Sequence, residues 1–132
     1  MKEILKKLGI SEKTINQMLE ICPNIDGLND KEILEKINYL KNLGCDEIQI
    51  RNIISSNPNY LDKSNSDIEK LINKMKSFGF DSFNILFDGN PYILNFDAYE
   101  IENYINKRKE NGETLEDIVD DLSSNPFLFE DI

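Results

Sequence analysis

The chain contains no histidine. That absence removes histidine general bases, Ser-His and Cys-His nucleophile pairs, and most zinc sites. Cysteine is scarce: Cys22 and Cys45 show no Cys-x-x-Cys spacing, so a metal or redox centre has nothing to build on and both read as buried free thiols. Long apolar runs are missing too. Nothing approaches the roughly 18 apolar residues of a membrane span. The opening MKEILKKLGISEK scatters charge where a signal peptide needs an apolar core. The expectation is a cytoplasmic protein with no membrane association and no cofactor. Positive charge is in short supply: 15 Lys plus Arg face 25 Asp plus Glu, a net charge of −10. That balance disfavours generic attraction to nucleic acid or an anionic membrane.

What is present suffices for one packed domain over residues 1–132. Hydrophobic residues make up 39% of the chain, with seven Phe and five Tyr, which excludes wholesale disorder. The dominant feature is a repeat. The four prolines fall at 23, 58, 91 and 126, spaced 35, 33 and 35. Four of the six glycines, at 9, 44, 79 and 112, are spaced 35, 35 and 33. From each proline to the next glycine of that set the distance is always 21, so a two-residue deletion lies between Gly79 and Pro91. The copies run approximately 5–39, 40–74, 75–107 and 108–132.

Each copy reads as two helices. The first has its N-cap at Ser11, Asp46, Asp81 or Thr114, with Gln49 placed to complete a capping box, and stops near the proline. The second starts at Asn29, Ser64 or Asp97, each followed three residues later by an acid, and closes at the repeat glycine. Apolar columns run through the copies: Ile15, Ile50, Phe83 and Ile118, then Leu19, Ile54, Phe87 and Leu122 four residues on. In the second helices they are Ile33, Ile68 and Ile101, then Ile37, Ile72 and Ile105. Neither helix can bury such a face alone, so the copies must stack without a β-sheet. The first helices run parallel in neighbouring copies. Cys22 at the end of one and Cys45 at the start of the next are then about 16 Å apart, beyond disulfide reach. Residues 2–8 match only the last turns of a second helix. Late copies turn polar in core columns, at Arg108, Asn111 and Asp121, as a terminal cap requires.

These residues resemble the mitochondrial transcription termination factor (mTERF) repeat family. Its signature is a proline followed by leucine-like residues three, ten and seventeen positions on, in a repeat of thirty-odd residues with a Leu-Gly pair. Pro58 is followed by Leu61, Ile68 and Met75, and Pro91 by Leu94, Ile101 and Arg108. Pro23 is followed by Asp26, Ile33 and Leu40, and the Leu-Gly pairs are Leu8-Gly9 and Leu43-Gly44. The resemblance covers essentially the whole chain. It implies an all-α fold, a short right-handed-type α-solenoid of about four helix-pair repeats with a period of 33–35 residues. It also implies a nucleic-acid-binding role, since many members control organellar gene expression that way.

Three constellations are candidates for binding. Lys6, Lys41, Lys76 and Lys109 each precede a repeat glycine by three residues, with Lys74 and Lys107 two residues earlier in two copies. Such a ladder could follow a phosphate backbone; the plainer reading is that each lysine complements the dipole of a helix C-terminus. Asn38, Asn73 and Asn106 form a second column, able to read a partner, to bond between copies, or merely reflecting an Asn-rich composition. Residues 1–66 carry a net charge of −1 and residues 67–132 of −9. Much of the excess lies at Glu113, Glu116, Asp117, Asp120 and Asp121, a possible acidic docking face for a basic protein, or a solvated cap. A cation site there lacks EF-hand ligand spacing. No Gly-rich phosphate loop or nucleophile elbow occurs, so no catalysis is expected. The favoured function is a monomeric, non-enzymatic scaffold recognising a protein through its concave side and acidic C-terminal end. The alternative is a nucleic-acid-binding regulator. The tail, Phe127 to Phe129, is expected to fold back over the last first helix.

Overall fold

The computed structural model describes residues 1–132, the side chain of Asp131 excepted. Among the described residues there is no strand. The first helices are α2 (Glu12–Ile21), α4 (Glu47–Ser56), α7 (Phe83–Gly89) and α9 (Leu115–Ser124). The second helices are α3 (Asp30–Asn42), α6 (Asn65–Phe78) and α8 (Ala98–Glu110), preceded by the partial α1 (Lys2–Lys7). Between first and second helix each proline opens a short third element. It is a 3-10 turn at Pro23–Gly27, Pro91–Asn95 and Pro126–Asp131, and a single α-turn, α5 (Asn59–Asp62), in the second copy. The helix pairs stand as read, with a short proline-led turn set between the two helices. Proline ends the first helix, and its fixed φ then starts the next short one at N1 or just before it.

Capping follows the expected residues with one exception. Ser11, Asn29, Asp46, Ser64, Asp97 and Thr114 each accept a hydrogen bond from the backbone N–H three residues on. Asp46 with Gln49, and Asp97 with Glu100, form complete capping boxes. Asp81 is not a cap: α7 begins at Phe83 behind Ser82, which sits in the left-handed region at φ 51° without a side-chain cap bond. The deletion explains this. α7 has 7 residues where α2, α4 and α9 have 10, so its first turn is gone and the chain reaches Phe83 through a tight bend.

Every second helix ends in the same glycine turn. The N–H of Gly9, Gly44, Gly79 and Gly112 donates to the carbonyl of Lys6, Lys41, Lys76 and Lys109 at 3.0 Å. The next N–H, of Ile10, Cys45, Phe80 and Glu113, reaches the carbonyl of Leu5, Leu40, Met75 and Arg108. This pair of bonds is a Schellman motif, which calls for a residue at positive φ and commonly an apolar contact between the two outer residues. All four glycines lie between φ 92° and 104°. Leu5 with Ile10, Leu40 with Cys45, and Met75 with Phe80 are buried. In the fourth copy the apolar pair is replaced by an ion pair, Arg108 with Glu113.

The elements stack by kind: α2 on α4 and α4 on α7, the short turns on one another, α1 on α3 and α6 on α8. One hydrophobic cluster runs from Leu5 to Phe129 and contains every apolar column read from the sequence, Leu19 partly buried at its edge. The tail folds back. Phe129 is fully buried, its ring centroid 6.0 Å from that of Phe80, while Phe127 stays exposed. Both cysteines are free and buried. Burial first, then Asp88 and Asp46, pushes the Cys45 thiol up to about 11.

Candidate binding surface

The lysine ladder forms one edge of the stack, at the C-terminal ends of the second helices. Lys6, Lys41, Lys76 and Lys109 are exposed, as is Lys107, while Lys74 is half-buried. The last turn of a helix favours a cation, and the periodic glycine turn places one there in each copy. Each rung also has company. Lys6 Nζ lies 3.9 Å from Glu12. Lys41 shares a groove with Lys7, Leu8 and Glu47, and Lys76 one with Leu43 and Asp81. Lys109 lies over the Phe78 ring, 5.9 Å from its centroid. Lys74 pairs with Glu102 across the α6–α8 contact at 3.3 Å. In the first three copies the edge therefore carries both signs, because an acid follows the lysine by five or six residues.

Asn38, Asn73 and Asn106 are exposed on the second helices and form no side-chain hydrogen bonds among the described residues. Bonding between copies falls instead to asparagines that immediately precede the prolines. Asn57 Nδ2 donates to the Pro91 carbonyl and to Asn95 Oδ1, and Asn90 Nδ2 to the Pro126 carbonyl, each at 3.0 Å. Both side chains are 1% exposed. The recurring Asn-Pro dipeptide at 57, 90 and 125 was the available signal. Two further cross-copy bonds had none. Tyr60 Oη donates to the Lys36 carbonyl at 2.8 Å, and Lys63 Nζ caps the Pro91–Asn95 turn through the carbonyls of Leu94 and Phe96. Burial lowers the pKa of Lys36 and of Lys63, against neighbouring carboxylates that raise it.

The five acids of the C-terminal end differ in their neighbours. Arg108 takes two of them, donating to both carboxylate oxygens of Glu113 and, at 2.8 Å, to Asp121. Those bonds hold the Glu113 carboxyl below its ordinary pKa and raise that of Arg108. Asp117 sits in the first turn of α9, its N–H bonded to Thr114. Glu116 and Asp120 stand apart, four residues along α9, rimming a groove whose walls are Phe78, Gly79, Leu115 and Val119. Among the described residues no group of three or more acids or cysteines could hold a metal ion. No helix is long and apolar enough to cross a membrane.

Compared with known proteins, residues 1–126 match a family model described as mTERF. No curated protein and no solved structure matches the chain.

Proposed function

The chain belongs to the mTERF family, and from that premise we propose that it is a non-enzymatic helical-repeat scaffold whose partner is a protein. The observation that carries this reading is the mixed charge of the lysine edge, where Glu12, Glu47 and Asp81 accompany Lys6, Lys41 and Lys76. A phosphate backbone needs a run of uncompensated cations, because affinity comes from releasing its counterions. An acid near three of the four rungs opposes that exchange, whereas a mixed edge suits a protein surface that also carries both signs. Net charge supports the same ranking. We further propose a cytoplasmic monomer without a catalytic centre.

A second reading, nucleic-acid binding, draws on family membership and on Lys41, Lys76, Lys107 and Lys109. Among the described residues these four have no carboxylate within ion-pair distance. Titration of DNA and RNA at low and physiological salt separates the two. The protein-scaffold reading expects weak binding that physiological salt abolishes. Tight, steeply salt-dependent binding, weakened at least tenfold by Lys41→Glu or Lys76→Glu, would reverse the ranking.

A further inference from the structure

One position of the repeat covers glycine turns of the stack. Seven residues before Pro58 and before Pro91, the first helix places a side chain over the glycine turn of the preceding copy. Arg51 lies over Gly9, where a Cβ would meet its Nη1 at 2.6 Å, and Asn84 lies over Gly44, 3.8 Å from the same construction. At the third turn the corresponding residue is Val119, and nothing lies within 4 Å of a Cβ built on Gly79. The cover is missing at this junction, and a groove lies there between the end of α6 and α9.

Its chemistry is specific. The floor is apolar, made by Phe78, Leu115 and Val119, and Glu116 and Asp120 stand on the rim without ion-pair partners among the described residues. The C-terminal carbonyl end of α6 adds negative potential at Gly79. Lys109 already lies over the Phe78 ring, 5.9 Å from its centroid, so a cation is accommodated at that margin. In the first junction the place over the glycine is taken by a guanidinium.

We infer that this groove docks a basic amphipathic segment of a protein partner, with an arginine or lysine over Gly79 between Glu116 and Asp120 and an apolar neighbour on Phe78, Leu115 and Val119. The inference rests on the protein-binding reading and assigns it a place and a partner chemistry. Charge complementarity selects the occupant: the acidic rim repels phosphate, and the apolar floor gives a purely charged polymer little to bury.

The test is an NMR titration of the isotopically labelled full chain with a 14-residue amphipathic helical peptide of Leu, Lys and Arg. A Lys/Gly peptide of equal charge and a DNA duplex are titrated in parallel. Saturable shifts centred on Gly79, Leu115, Glu116, Val119 and Asp120 are expected, with at least tenfold weaker binding of the Lys/Gly peptide. Glu116→Lys combined with Asp120→Lys changes only exposed positions and should weaken the amphipathic peptide at least tenfold. Val119→Arg restores the missing cover and should do the same. Equal affinity for the Lys/Gly peptide, or shifts centred elsewhere on the stack, would overturn the groove while leaving a protein-binding scaffold standing. Duplex DNA shifting the lysine edge at physiological salt, with no peptide bound, would overturn both.

Discussion

Asn90 and Asn125 occupy the same place in successive copies and live in different surroundings. Asn90 is buried, donating to the Pro126 carbonyl at 3.0 Å and accepting from the Tyr92 N–H at 3.2 Å. Asn125 is exposed and makes no side-chain cap bond. Removing a buried amide strands its partners, which costs about 1–3 kcal/mol, whereas an exposed change of this kind stays within about 0.5 kcal/mol. Urea denaturation of Asn90→Ala and Asn125→Ala should show that contrast; equal midpoints would mean the cross-copy bond contributes nothing. Glu113 gives an acid dependence of known sign. Its folded pKa is depressed by Arg108, so its contribution is complete above the unfolded carboxylate range and fades as pH falls through the lower folded value. Arg108→Met should flatten that part of the acid-side decline in melting temperature. Cys45 behaves oppositely: with its pKa raised to about 11, the stability of the neutral thiol is complete below the unfolded value and is lost as pH rises toward 11. Native protein at pH 8 should resist iodoacetamide that modifies the urea-unfolded chain within minutes.

The elements were legible wherever a local rule governs them. A cap needs one side chain and one backbone amide three residues away, so Ser11, Asn29, Asp46, Ser64, Asp97 and Thr114 could be read directly. Asp81 misled because a deletion displaces the element without erasing its residues; the period located the missing turn but not which side of Ser82 it would shorten. The proline-led turns went unread because a helix-stopping residue is also a good helix N1, and a turn of five residues has no periodicity to show. The candidate site was less legible than the fold. The lysine column was visible, yet what matters about it is the acid near Lys6, Lys41 and Lys76, which depends on how a glycine turn brings two helix ends together. The last turn, Pro126–Asp131, contributes a core side chain. Phe129 is fully buried against Phe80, and Phe129→Ala should cost about 3–5 kcal/mol while sedimentation still reports a monomer. A stable protein after that change would mean the tail contributes little to the core.

Across the whole molecule each copy touches only its neighbours, so stability is a sum of local terms and the ends open first. α1 has six residues and packs on α2 and α3. α4 lies between α2 and α7, α6 packs on α8, and the two carry Ile50, Ile53, Ile54, Leu71, Ile72 and Met75 in the core. Amide exchange should therefore be fastest in α1 and slowest in α4 and α6; uniform protection would show the stack melts as one unit. The solvent-facing character of the fourth copy comes from the Arg108 ion pairs, which place three charges where earlier copies place hydrocarbon.

The shortened α7 leaves a notch in the row of first-helix N-termini. Losing three residues removes about 4.5 Å along that helix's own axis, and α2, α4 and α9 keep their full ten residues. A flat surface laid across those helix starts meets a step of nearly one turn at Phe83, and a surface with a ridge at that place does not.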